Sequence, residues 1–316
     1  MSATQSGARD DLARKPIVIG DHIETPGNVD CLRAAAEMFD WDCGFLDDSD
    51  HSIDVGMLAR SGVPIIAIEN TSGAEDLFKY RPPAGRFAMV VGNERKGISR
   101  KVLRVADRVV QIPTASVHIN TINVAAAAAV AIYHLSHAGA GRIGAHGGRG
   151  RGRPEVLLTG VTDAIELGSA VRSAACFGWP RLFVHDRRAT WFAADRVTRS
   201  LGRGAARRGR NPIRVHPLGE DESFDEVCVV STRGDGEPLR RADLARGPGQ
   251  LVVIRDENTE FDEDGPARLG RRVRRVCLEI EPRQPGPFRL IASIVLAEIA
   301  RQVGGGRSSV YTRAQR

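Results

Sequence analysis

Lysine is nearly missing from this chain. Lys15, Lys79, Lys96 and Lys101 are the only ones, so almost all of the 45 basic residues are arginine. A guanidinium suits planar, bidentate contact with phosphate, although a GC-rich genome produces the same bias. Cysteine is sparse and scattered: Cys31, Cys43, Cys176, Cys228 and Cys277 include no Cys-x-x-Cys pair. An odd, dispersed set excludes a zinc ribbon or a disulfide framework and fits a reducing, cytoplasmic setting. The histidines show no metal-ligand spacing, so no metal is expected. No apolar run approaches the roughly 20 residues of a membrane span, so no membrane partner is expected. Residues 1–15 are polar and lack the apolar core of a signal peptide, and are expected to be a disordered tail.

What is present is an α/β pattern written twice. The 316 residues leave room for two domains, and the net charge of +6 favours an anionic partner. Apolar runs at 16–20, 63–69, 87–91 and 108–112 read as buried strands, with helices expected at 29–39 and up to about Leu135. Residues 138–153 are rich in Gly, Arg and His, with no apolar period. They read as a linker whose arginines could also touch phosphate. Then strand-like runs return at 155–160, 182–184, 226–230, 250–254 and 276–280, and a last helix at 288–303. Strands alternating with helices imply parallel sheets covered on both faces. The expected organisation is one α/β domain at 16–137, the linker at 138–153, a second copy at 154–303 and a disordered tail at 304–316.

The central stretch runs from Phe87 to Leu135. The strand at 87–91 ends in Gly92-Asn93-Glu94-Arg95-Lys96-Gly97; the next ends at Ile112-Pro113; then Thr121-Ile122-Asn123-Val124 opens an alanine-rich helix. Ligands in open α/β sheets sit beyond the carboxyl ends of the strands, so these loops are the expected walls of a small-molecule pocket. This ordered set resembles motifs 2 and 3 of the SpoU/TrmH branch of the SPOUT methyltransferases. Thr-Ile-Asn replaces that family's usual Ser-Leu-Asn, and the gap after Ile112-Pro113 is one residue longer.

The resemblance implies a trefoil-knotted α/β fold, S-adenosylmethionine as cofactor, and methylation of RNA, mostly at ribose 2′-hydroxyls. It places the cofactor on Glu69, Asn70, Gly92, Asn93, Gly97, Ile112 and Ile122, and gives Glu94 a bracing role at the interface. Thr121 and Asn123 would brace the substrate and the loop, or simply cap the helix. Motif 1 of the family has Asn, then Arg six residues on, then Phe-Gly. The second half keeps Arg172 and Phe177-Gly178 but has Glu166 in place of Asn; the first half keeps Asn28 but has Ala34 in place of Arg. Conversely, the second-half loop reads Ile254-Arg255-Asp256-Glu257-Asn258-Thr259, without the glycines, and Pro285-Gly286-Pro287 replaces Thr-Ile-Asn.

The losses are complementary. Enzymes of this family are homodimers that combine one subunit's cofactor pocket with the other's motif-1 arginine. The expectation is therefore two tandem SPOUT-like α/β-knot domains, the second knot degenerate, forming an intramolecular, monomeric pseudo-dimer with one composite site. Arg172 is the expected catalytic residue. Glu166 either pairs with Arg172, acts as the general base, or forms a structural ion pair. An arginine-rich insertion, from Arg187 to Arg214 with Trp191 and Phe192, suits ribosomal or transfer RNA. Two rival readings are a tailoring methyltransferase for a small molecule or peptide, favoured by Glu166 and the single asymmetric site, and a non-catalytic RNA-binding protein.

Overall fold

The structure, a computed structural model, describes residues 15–46, 53–116, 119–141, 152–185, 190–191, 193–194, 213–219, 221–257, 264–281 and 286–304. The first half contains β1 (Ile17–Asp21), α1 (Pro26–Glu37), β2 (Asp42–Leu46), α2 (Val55–Arg60), β3 (Ile65–Ile68), β4 (Glu75–Asp76), β5 (Ala88–Val91), α3 (Arg100–Val105), β6 (Arg108–Gln111) and α4 (Val124–Ser136). The second contains β7 (Glu155–Thr159), α5 (Ala164–Cys176), β8 (Arg181–His185), β9 (Arg214–Pro217), β10 (Glu226–Ser231), β11 (Glu237–Pro238), β12 (Gln250–Arg255), α6 (Asp264–Leu269), β13 (Val273–Cys277) and α7 (Phe288–Gln302).

Every strand pairing is parallel. The sheet orders are β2-β1-β5-β3-β6-β4 and β9-β8-β7-β12-β10-β13-β11. Apart from the added edge strand β9, the second order is the first repeated element for element. The two halves share one plan, as the repeated sequence pattern led us to expect.

Side chains alternate across each sheet with the period of two that strands impose. Met89 and Val91 of β5, with Ile66 and Ile68 of β3, face an inner core; Ala88 and Val90, with Ile65 and Ala67, face outward onto α2 and α3 through Leu58 and Val102. The second sheet divides likewise, Val252 and Ile254 inward, Leu251 and Val253 outward. The inner faces of both sheets belong to one continuous apolar core. Between them lie four helices in the order α1, α4, α7, α5, each packed on the next. The two middle helices are buried almost all round, as the alanine run of α4 and the apolar sequence of α7 require of helices with no solvent face. Glu298 of α7 is fully buried and is held by Arg301 at 2.6 Å and by Gln302.

Matching backbone contacts join the halves. Glu281 N–H donates to Met38 O beyond α1, and Ala115 N–H donates to Cys176 O at the equivalent end of α5. Gly178 is left-handed at φ 88°, and a Cβ there would meet that of Ala115 at 2.8 Å. At the equivalent position Asp40 takes φ 57°, a region Asp tolerates.

Several elements depart from expectation, among them α2, β4, α3, β9, β11 and α6, which were not expected. The strand expected at 276–280 is β13, three residues earlier, and a strand (β2) follows the first helix where none was expected. The linker's described ends are anchored: Gly152 bridges to Arg246, and Arg153 donates to Phe177 O while lying over the Trp179 ring. The N-terminal tail to residue 14, the linker core and the C-terminal tail from 305 lie outside the described residues. So do most of the insertion's arginines, Phe192, Asn258, Thr259 and Pro285.

Candidate active site

The loops beyond β3, β5 and β6 converge as the parallel sheet dictates. The β5 loop closes through reciprocal bonds between Asn93 and Gly97, N to O at 3.0 Å each way. Its glycines serve the loop before they serve a ligand. A Cβ on Gly92 would fall 2.2 Å from the Gly97 carbonyl carbon, and one on Gly97 (φ 70°) would meet the Glu69 carboxylate at 2.5 Å. Glu69 accepts from Ile98 N–H at 2.8 Å and Asn70 N–H at 3.0 Å. Asn70 donates to Asn120 O. Asn93 accepts from Arg95 and Lys96 N–H and donates to His22 O at 2.6 Å.

A second chain of bonds ties this loop to both inner helices. Glu94 accepts from Glu24 N–H, Thr25 N–H and Asn28 Nδ2, so it caps α1, whose own N-cap Thr25 does not. Burial works to raise the Glu94 pKa, but the bonds from Asn28 and the backbone outweigh it and hold the carboxyl below its ordinary value. Asn28 in turn accepts from Asn123 Nδ2 at 2.9 Å, and Asn123 caps α4 by accepting from Ala125 and Ala126 N–H.

These loops bound a cavity of about 970 Å³, walled by Ile68, Val91, Ile112 and Ile122 together with Glu69, Asn70, Gly92, Asn93, Gly97 and Asn123. Its opposite wall comes from the other half. Ile165, Ser169 and Arg172 line it, spaced i, i+4 and i+7 along one face of α5, with Arg289 at the start of α7. Arg172 is 8% exposed. It donates from Nε to Thr121 O at 2.8 Å and from a terminal nitrogen to Thr121 Oγ1 at 2.6 Å. The structure thus brings together every residue named from the sequence except one. Arg33, one position off in the first half, lies over the Phe45 ring, far round its helix.

The exception is Glu166. It does not line the cavity and it does not pair with Arg172. Its carboxylate accepts from Arg289 N–H at 2.8 Å and lies 2.7 Å from Arg289 Nε. Burial pushes the Glu166 pKa up, and Arg289 pulls it back. Glu166 thus stands in an ion pair with Arg289. The reason is visible by comparison with Asn28. There Asn123 caps its own helix and an amide suffices as a bridge. In the second half Pro287 is the N-cap and carries no capping side chain, so a carboxylate at 166 caps α7 directly.

The described start of the second half's loop, Arg255 to Glu257, is filled by its own side chains. Strand registers place Ile254 where Val91 stands, hence Arg255 for Gly92, Glu257 for Glu94 and Thr232 for Asn70. Arg255 and Glu257 are buried, and Glu257 turns inward to accept from Thr232 N–H at 2.5 Å and Thr232 Oγ1 at 2.7 Å.

Residues 54–133 match the model of the SpoU rRNA Methylase family. That match lies wholly within the first half. The match takes in the Gly92 loop, Thr121 and Asn123 but not Asn28, and none of the second half. No curated protein matches the chain. Among solved structures, the chain is similar to a putative RNA methyltransferase of the TrmH family from Porphyromonas gingivalis (19% identity, 39% of this chain, 59% of that one, TM-score 0.33). It is also similar to the SpoU methyltransferase AviRb from Streptomyces viridochromogenes in complex with AdoMet (19%, 40%, 58%, 0.33). The A. aeolicus TrmH/SpoU tRNA modifying enzyme aligns at 16% identity over 41% of this chain and 79% of that one, TM-score 0.32. The alignments with the first two span under two thirds of those proteins' length. Among the described residues no cluster could hold a metal ion, and no helix is long and apolar enough to cross a membrane.

Proposed function

We propose that the chain is an S-adenosylmethionine-dependent RNA methyltransferase that methylates a ribose 2′-hydroxyl of ribosomal or transfer RNA. Each chain would use one site built from both halves. The observation that carries this reading is Arg172 of the second half donating to both oxygens of Thr121 inside a cavity walled by the SpoU-type loops.

The cavity fits the cofactor. Its volume lies in the range of small-molecule sites, and apolar walls alternate with a few converging polar groups. Asn120 Oδ1 lines it, buried and without a hydrogen-bond partner. Ile68, Val91, Ile112 and Ile122 would hold the adenine and ribose, with the Gly92 and Ile122 backbones alongside. The bound cofactor supplies an electrophilic methyl on sulfonium sulfur. The protein's part is positioning, which sets the 2′-oxygen in line with that methyl. Thr121 fixes the Arg172 guanidinium, and a fixed cation beside the reacting hydroxyl holds the neighbouring phosphate and favours the developing alkoxide. A guanidinium with a pKa above about 12 is a poor base, so the proton leaves through the hydroxyl's own hydrogen-bond partners once the oxygen is committed.

Transfer of a tritiated methyl group to total RNA, run in parallel against a small-molecule extract, tests the reading. Arg172→Ala is expected to abolish methylation of RNA while cofactor affinity stays nearly unchanged. Label entering only the small-molecule fraction would overturn the RNA assignment. Retained turnover in Arg172→Ala would overturn the role of Arg172. The small-molecule reading rested on Glu166 and on the single asymmetric site, and the ion pair of Glu166 with Arg289 weakens the first of these supports.

A further inference from the structure

Around Arg172 the second half presents further polar groups to the cavity. Ser169 is 4% exposed, lines the cavity, and its Oγ has no hydrogen-bond partner. A buried hydroxyl without a partner forfeits free energy that helix packing does not return. Ala at this position would pack equally well on α5. Arg289, also lining the cavity, is held by Glu166, which fixes its backbone N–H and lies 2.7 Å from Nε, and its side chain also reaches the Cys31 thiol. A guanidinium fixed at a cavity wall presents a planar set of donors suited to a phosphate's oxygens. Ile165, 54% exposed, stands at the lip one turn before Ser169.

From this we infer that Ser169 and Arg289 form, beside Arg172, a cradle for a phosphodiester of the substrate strand, with Ile165 as an apolar rest for the adjoining base. The inference rests on the RNA reading given above and deepens it. The cofactor loops grip the methyl donor, and this wall grips the backbone flanking the target ribose. It also accounts for the half-buried ion pair of Glu166 with Arg289. A carboxylate that both caps α7 and braces Arg289 Nε fixes the guanidinium at the cavity wall. Ser169 and Arg289 are positioning residues in this scheme: they hold the strand and leave the reacting atoms to others.

The test is anisotropy binding of a short, mixed-sequence, fluorescent single-stranded RNA across a potassium chloride series, with S-adenosylhomocysteine binding measured on the same samples. Arg289→Gln is expected to weaken RNA binding about tenfold and to lower the slope of log affinity against log salt by about one phosphate contact. Arg289→Lys should restore the slope. Ser169→Ala should weaken binding about threefold with the slope unchanged. All three should bind S-adenosylhomocysteine as the wild type does, and in methyl transfer the loss should fall on KM rather than kcat. If Arg289→Gln fails to fold, Arg289→Lys and Ser169→Ala decide the matter. Wild-type RNA binding that folded variants leave unchanged in affinity and slope overturns the cradle alone. Failure of the wild-type chain to bind RNA overturns the RNA reading and the cradle with it.

Discussion

Arg172 and Glu166 sit on the same helix six residues apart, and their fates show what a sequence can carry at this scale. Arg172 was legible because its meaning lies in spacing: six residues after a fixed position, five before Phe177-Gly178. It lands against Thr121, 51 residues away in the chain. Glu166 was not legible, because its meaning lies in a partner 123 residues distant, the backbone of Arg289, made needy by Pro287. Gly92 and Gly97 fall between these cases. Both were singled out for a ligand, whereas the close approach they permit in the structure is to Ile98, to Glu69 and to each other. Substitution separates the two readings of Glu166. A true general base contributes roughly 10²- to 10⁴-fold, so Glu166→Gln would lose that much kcat. As a cap and brace, the glutamine amide oxygen still accepts from Arg289 N–H. The expected outcome is kcat within a small factor of wild type, a modest rise in KM for RNA, and a lower unfolding temperature. Steady-state kinetics at saturating RNA checks it, and a hundredfold fall in kcat would restore Glu166 as the base.

At the scale of elements, the apolar strands and the two central helices could be read directly, since a parallel strand buried on both faces is a continuous apolar run. Misplacement occurred where charge interrupts that run. β13 carries Arg274 and Arg275, which look like loop but pair with Glu226, Glu237 and Asp235. β2 begins with Asp42, Cys43 and Gly44, poor strand formers that pairing with β1 overrides. The way elements are fastened to one another was readable only in part: the resemblance implied a bracing role for Glu94 but not its partners, the start of α1 and Asn28. The Glu94 carboxylate joins the β5 loop to the start of α1 and, through Asn28, to Asn123 and α4. Its pKa in the folded chain lies below the ordinary value near 4.3. A carboxyl lowered by folding adds stability that is fully present above the unfolded-state pKa and is lost as pH falls through the folded one. Wild-type stability should therefore drop as the pH goes from about 5 to below 4. Glu94→Gln should start lower at neutral pH and show a shallower acid limb. Urea midpoints across that range measure both, and parallel curves for the two proteins would remove Glu94 from this role.

At the scale of the whole molecule, the four inner helices make the halves inseparable. α4 and α7 are buried against each other, and the core runs unbroken from one sheet to the other. A covalent link holds the two halves at high effective concentration, which under the proposed function relieves each half of the need to carry a complete site. The division of labour follows: the first half keeps open loops and lacks the arginine, while the second keeps the arginine and has filled its own loop. The filling is physical as well as a matter of lost motifs. Arg255 occupies the place where Gly92 gives room, and Glu257, instead of reaching back to a helix start as Glu94 does, is spent on Thr232 inside the would-be pocket. Opening that pocket would mean breaking two hydrogen bonds to a buried carboxylate that keeps, among the described residues, only Arg233, 3.7 Å away, as a partner, which costs about 1–3 kcal/mol before any ligand contact is made. A ligand would then bind there roughly ten- to a hundredfold more weakly than at the open site. Calorimetric titration of the full chain with S-adenosylmethionine should accordingly give one site per chain, and Arg172→Ala should leave that stoichiometry unchanged because the guanidinium belongs to the substrate side. Two equivalent sites per chain would mean that the second loop opens more easily than its buried hydrogen bonds allow.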